Sequence, residues 1–475
     1  MTQTGVVSNE ALAGLRPGLK KRHLSMIAIS GVIGAGLFVG SGATIHAVGP
    51  GVLASYALAG IVVVLVMRML GEMAAANPET GSFSAYADKA IGRWAGLSIG
   101  WLYAWFWSII LGVEASAGAG IVTRWFGWDS KWQWVWALVL MLALTGTNLF
   151  TVQGYGEFEF WFSSIKITAI VVFLFLGAFA WTGLCPGVHV RSWVQVQADG
   201  GLFPNGFGAV LIAVPIVVTS FFGAEIATIA AGESKDPQSA VRKAVNSVVW
   251  RVSLFYLGSL AIVISILPWN DPAISGESIA ESPYVAAIRT FGIPYAPTIL
   301  DVIVLTAVLS CLNSGMYTAS RMLYSLAERG DAPKALTKLS RTGSPYLAVL
   351  AASAVGFVIV LFNVNYPKTI YVWLNNTTGG IGLLVWLVIA VAQMRMGRAL
   401  RASGKEISVK MWGYPYLSYI TIGLIAALFL SMGFIQETQE QFWLTLGLAA
   451  VLAAAGLFVE RRAKAKGSTA PPAGR

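Results

Sequence analysis

Cysteine is nearly missing from this 475-residue chain: Cys185 and Cys311 are its only two. One falls in an expected outer loop and the other inside an expected helix, so neither an intramolecular disulfide nor thiol chemistry is anticipated. Histidine is almost as scarce, and His23, His46 and His189 are scattered without the spacing of metal ligands. A GxxxxGKS/T phosphate loop is missing, which argues against ATP-driven work by this chain. The run Gly34-Ala35-Gly36 is no dinucleotide fingerprint, because it sits inside an apolar helix rather than after a strand. No grouping of nucleophile, base and metal ligands occurs either, so neither a cofactor nor an enzymatic reaction is expected. The first 23 residues are polar and basic and lead straight into an apolar run, without a cleaved-signal pattern; the amino terminus is expected in the cytoplasm.

Charge is sparse too, at 11%, whereas 56% of residues are hydrophobic and the mean hydropathy is +0.69. Apolar runs of about 20 residues recur along most of the chain, which is the pattern of an all-α polytopic membrane protein. Twelve transmembrane helices are expected, near 24–46, 51–76, 95–123, 132–152, 158–182, 206–232, 242–268, 298–325, 345–363, 369–394, 413–434 and 440–460. A net charge of +10 would suit a nucleic-acid surface, but its distribution decides otherwise. The expected outer segments hold only Arg124, Lys131, Arg191, Arg289 and Lys368, and the rest of the basic residues outside the spans lie on the other side. That is the positive-inside bias of a cell membrane protein with both termini cytoplasmic, and no nucleic acid is implied. Tryptophans 125, 128, 132, 134 and 136 crowd one outer loop, as interfacial anchors do.

Two of the apolar runs are broken by glycine: Ser30 to Phe38, with Gly31, Gly34 and Gly36, and Phe221 to Ser234, with Gly223 and Gly232. Glycine costs a helix about 1 kcal/mol relative to alanine, so such clusters mark unwinding. Unwound backbone survives in a bilayer only where it faces protein or water. The broken runs open two sets of five spans, and since five is odd the second set runs with opposite polarity, a 5+5 inverted repeat. The expected organisation is a tail over 1–23, a first five-helix repeat over 24–182 and a second over 206–394. Two further helices follow over 413–460, then a tail over 461–475.

Charges within spans are costly and face a cavity or a partner. Glu114 sits about 14 Å deep in span three. It is a structural carboxylate, an ammonium partner or a proton acceptor. Lys166 lies about 12 Å into span five and either snorkels or sits beside unwound carbonyls, where it replaces a coupling cation or carries a proton. Glu225 either caps freed N–H groups or faces a substrate amine, and Phe222 either packs or closes over a ligand. Glu72 is expected to pair locally with Arg68, four residues earlier, and structural partners are expected for Arg251 and Asp301. Asn375 to Gly380 is a gate or an interfacial cap, and Asn313-Ser314-Gly315 contributes packing contacts or ligands.

The two breaks, the Lys166 position and the segment Gly330-Asp331-Ala332-Pro333 after Arg321-Met322-Leu323-Tyr324-Ser325 together resemble the amino acid transporters of the amino acid-polyamine-organocation superfamily. The resemblance runs from about Gly18 to the twelfth span and implies the 5+5 inverted-repeat fold with proton-coupled uptake. Residues 81–96, 155–161 and 204–211 are similar to the γ-aminobutyrate carriers of that superfamily. Ala35 stands where most α-amino acid carriers have a hydroxyl residue, whereas Gly36 and Asn375-Asn376-Thr377-Thr378 depart from the γ-aminobutyrate pattern. The resemblance implies import of γ-aminobutyrate or a related amino acid; the alternatives are an α-amino acid permease for asparagine, proline or aromatic amino acids, or an exchanger. The expected substrate site comprises Ile33, Gly34, Ala35, Gly36, Glu114, Phe222, Gly223, Ala224 and Glu225, with Lys166 coupling protons. The partners are the amino acid, protons and the lipid bilayer, with no obligatory protein partner.

Overall fold

A computed structural model describes residues 22–23, 26–27, 33–38, 40–79, 81–150, 152–185, 187–231, 236–272, 274, 282–362, 367–404 and 408–468. Among them there is no strand. The first half contains α1 (Ala35–Phe38), α2 (Gly40–Val48), α3 (Val52–Ala76), α4 (Ser82–Ala90), α5 (Arg93–Trp125), α6 (Gln133–Phe150) and α7 (Val152–Trp181). A short α8 (Trp193–Ala198) precedes α9 (Gly206–Thr219), α10 (Ile226–Ala231) and α11 (Pro237–Trp250), which continues through a π-helical segment, Arg251–Gly258, into α12 (Ser259–Ile266). The remainder is α13 (Pro283–Arg289), α14 (Ala296–Glu328), α15 (Tyr346–Phe362), α16 (Pro367–Ala402), α17 (Tyr416–Ser431) and α18 (Gln439–Ser468).

Seven helical stretches among the described residues are long and apolar enough to cross a membrane, and α9, α15 and α17 are shorter apolar helices. At 1.5 Å per residue the 25 residues of α3 span about 37 Å, more than a hydrocarbon core of about 30 Å. With water absent from that core, helices close because each must satisfy its own backbone groups. Close packing then depends on small residues: a Cβ on Gly60 would overlap Val252, and one on Gly71 would overlap Val245, so α3 lies directly on α11 and the π segment. The 33-residue helices α5 and α14 run against each other at the centre of the molecule.

At one end of the bundle, charges tie elements together. Glu72 at the end of α3 is fully buried and accepts from Arg401 Nη2 (2.7 Å), from Gln393 Nε2 and from the Met411 backbone (3.3 Å). The local pair expected with Arg68 therefore gives way to a long-range one, because Arg68 turns instead to the Lys410 carbonyl (2.7 Å) and stacks over Trp412. Arg93 pairs with Asp331 (2.8 Å), and Arg329 approaches Asp88 (3.9 Å). Partial burial holds the Asp88 carboxyl above the usual carboxylate range, against the opposing charge of Arg329. Asp301 has the partner expected of it, Arg124 at 3.0 Å.

Candidate functional site

Two interruptions place backbone groups deep among the helices. Ile33 and Gly34 precede α1 in non-helical conformation and are buried, whereas Gly36 is exposed. Gly31 and Val32 lie outside the described residues, as do Gly232, Glu233 and Ser234 and the side chains of Ala35, Asn375, Asn376 and Thr377. The second interruption is complete: α9 ends at Thr219, six residues form turns, and α10 begins at Ile226. Its N–H groups reach three residues back, as in Ser220 to Val217 (2.9 Å) and Ile226 to Gly223 (3.1 Å). Gly223 has φ +102, open to glycine and strained for other residues, so the turn depends on it.

The interruptions meet. Ser220 Oγ donates to the Gly36 carbonyl (3.4 Å), and a Cβ on Gly36 would lie 3.3 Å from Ser220 Cα. Tyr256 OH donates to the Ser220 carbonyl (2.8 Å), so the π segment also touches the second break.

Around the first break the polar groups form a chain. Lys166 is 1% exposed, which rules out snorkelling, and its Nζ donates to the Ile33 carbonyl (3.0 Å) and to Ser310 Oγ (2.9 Å). Ser310 Oγ donates in turn to Glu159 Oε1 (2.6 Å), which Ser163 Oγ also approaches (3.3 Å). An ammonium on an unwound carbonyl with a carboxylate one hydroxyl away is a relay along which a proton can move. Glu114 on α5 is 6% exposed; a Cβ on Gly34 would stand 3.6 Å from Glu114 Oε1 and 3.2 Å from Cys311 Sγ. Glu114 therefore faces the same break as Lys166.

Glu225 has a different setting. Its Oε1 accepts from Tyr103 OH (2.8 Å) and from the Gly223 N–H (3.2 Å), which also lies 3.3 Å from Oε2. In this conformation the carboxylate caps the break, the first of its two expected roles. Phe222 projects from the same turn into an aromatic cluster, edge-on to Phe106 (5.5 Å) and Trp386 (5.2 Å). A Cβ on Gly382 of α16 would fall inside the ring at Cζ, Cε1 and Cε2, so Gly382 is the notch that receives Phe222. Asn313 and Ser314 make packing contacts, with Asn148 Nδ2 (2.8 Å) and Tyr155 OH (3.4 Å).

The expected residues thus fall into two neighbouring groups. Ile33, Gly34, Glu114 and Lys166 surround the first break; Phe222, Gly223, Ala224 and Glu225 form the second; Gly36 joins them. Glu159, Ser310, Tyr103, Trp386 and Gly382 escaped the sequence reading. Glu159 was legible, since it lies seven residues before Lys166 on one face of α7. The others are unremarkable residue types whose role comes from distant segments.

Comparison with known proteins supplies the remaining evidence. The sequence model described as amino acid permease matches residues 23–465. A gamma-aminobutyric acid permease of Bacillus subtilis (strain 168) is 47% identical over 465 residues, 98% of this chain and 98% of its own length. A probable GABA permease of Pseudomonas aeruginosa is 49% identical over 455 residues, 96% of this chain and 94% of its own. The gamma-aminobutyric acid permease of Escherichia coli (strain K12) is 48% identical over 434 residues, covering 91% and 92%.

Proposed function

The chain belongs to the amino acid permease family, and from that premise we propose that it imports γ-aminobutyrate or a closely related amino acid, driven by protons. As a member of that family it is an integral membrane transporter and not an enzyme. Near-full-length relatives named for γ-aminobutyrate support the substrate. The observation that carries the coupling is the Lys166 ammonium bonded to the Ile33 carbonyl inside the first break.

The substrate carboxylate meets the N–H groups of Gly34, Ala35 and Gly36, where a half-helix dipole contributes about 0.3 to 1 kcal/mol. The ammonium meets carbonyls of Phe222 to Ala224, and Phe222 closes over the ligand. A γ-amino acid separates its charges further than an α-amino acid does and needs a longer pocket. Lys166 takes the place of a coupling cation. When it releases its proton toward Ser310 and Glu159 its remaining hydrogen bond to the Ile33 carbonyl is no longer charge-assisted, and the first break loosens.

In the proposed architecture twelve spans form a 5+5 inverted repeat, 24–182 and 206–394, with two additional helices and both termini cytoplasmic. Rocking of one bundle against the other alternates access. The test is uptake of a labelled amino acid panel into proteoliposomes, under proton and sodium gradients imposed separately. Accumulation of γ-aminobutyrate under the proton gradient alone is expected. Sodium dependence overturns the coupling, and indifference to γ-aminobutyrate overturns the substrate.

A further inference from the structure

The two breaks do not account for every buried charge. Arg251 is 3% exposed, and its Nε and Nη2 have no hydrogen-bonding partner among the described residues. It stands in the middle of a helical stretch, Pro237–Ile266, long and apolar enough to cross a membrane. Arginine stays protonated in proteins, so this burial is not relieved by neutralisation, and a lone cation within a membrane marks a functional position with a missing partner. The structural pairing expected from the sequence is not made among the described residues.

Its placement narrows the choice of partner. Arg251 opens the π-helical segment that ends at Gly258, and single π segments concentrate at functional sites. The same segment carries Tyr256, which holds the Ser220 carbonyl at the start of the second break. The break that Tyr256 holds at Ser220 ends five residues later at Glu225, a buried carboxylate whose charge acts on Arg251 through space. Glu225 is itself 1% exposed and at present engaged by Tyr103 OH and the Gly223 N–H. A rearrangement of the turn at Gly223 that removes the second of those bonds leaves the carboxylate only Tyr103 of those two partners.

We propose that Arg251 is the charge partner of Glu225 in the transport cycle: as the second break rearranges, the carboxylate leaves the Gly223 N–H and is received by the Arg251 guanidinium. Arg251 is a positioning residue, setting the energy of the rearranged state without touching the amino acid. The inference rests on transport itself, which family membership carries, and not on the identity of the substrate.

Arg251→Gln, Glu225→Gln, the double variant and Arg251→Lys are to be reconstituted in proteoliposomes. The probe is labelled γ-aminobutyrate or, if the wild type does not take it up, whichever amino acid of the panel it does. Gradient-driven uptake is measured beside equilibrium binding to the detergent-purified protein. Arg251→Gln should lose at least about tenfold in turnover, because one charge is left buried alone, while binding stays within about threefold. Removing both charges should recover at least about fivefold over Arg251→Gln. Arg251→Lys keeps the charge and should retain most of the wild-type rate, which also decides the matter should the glutamine variant not fold. Three results overturn the proposal: a double variant no faster than Arg251→Gln, a lysine variant as slow as the glutamine one, or a loss of binding in step with uptake. The last would make Arg251 a site for the substrate carboxylate.

Discussion

Replacing Gly382 by alanine adds one methyl group to a helix, where alanine is by itself favourable, yet we expect it to damage transport. The new Cβ would occupy the space of three Phe222 ring atoms. Helix α16 has little room to retreat, since Gly380, two residues away and so near the opposite face, already sits where a Cβ would be 2.7 Å from Thr445 Oγ1. The strain therefore falls on Phe222, which stands in a turn and not in a helix, and which must leave its edge-on contacts with Phe106 and Trp386. Overpacking of this kind costs about 1 to 3 kcal/mol. If the ring closes over the amino acid, that cost becomes an affinity loss of roughly five- to 150-fold. The assay is the KM for uptake in proteoliposomes beside the melting temperature in detergent, for Gly382→Ala and for Gly382→Ala with Phe222→Leu. KM should rise in the single variant and recover in part when the smaller leucine makes room. Wild-type KM and melting temperature in Gly382→Ala would refute the packing argument, and an unchanged KM with lowered melting temperature would refute the closing role of Phe222.

Lys166→Ala should abolish accumulation driven by a pH gradient more than binding; unchanged accumulation would sink the coupling role. Ser310→Ala cuts the chain between Lys166 and Glu159, and the pH dependence of uptake should shift while KM holds; an unaltered pH profile would show that the relay is not used. Arg401→Gln leaves Glu72 buried with only Gln393 and the Met411 N–H, and should cost about 2 kcal/mol or more of stability, read as a lowered melting temperature. For Asp88, whose folded-state pKa is raised, ionisation is the unfavourable event. The wild type should gain stability as pH falls from neutral through that raised pKa, and Asp88→Asn should lose that gain. Parallel melting curves for the two proteins across pH 4 to 7 would contradict it.

Much of the site could be read along the chain. Gly223 in the second break and Lys166 in span five are anomalies against a uniform apolar background, and the cost of a glycine cluster or of a buried ammonium does not depend on knowing the neighbours. The Glu225 carboxylate was harder, because capping and substrate contact ask for the same residue at the same place. Only Tyr103 and the Gly223 N–H separated them. Glu72 shows how a sound local rule fails: Arg68 is four residues away, but Arg401 and Gln393 come from a helix more than 300 residues later.

Composition, hydropathy and the asymmetry of basic residues determined by themselves that this is a helical membrane protein with interrupted helices, because the bilayer imposes one solvent and one backbone solution on any apolar segment. Tertiary structure alone decided which groups share a space. It set Lys166 on the Ile33 carbonyl, aimed Phe222 at Gly382, and left Nε and Nη2 of buried Arg251 without a hydrogen-bonding partner among the described residues. Such pairings depend on how helices cross, and a pattern read along one helix does not specify the face its neighbour presents.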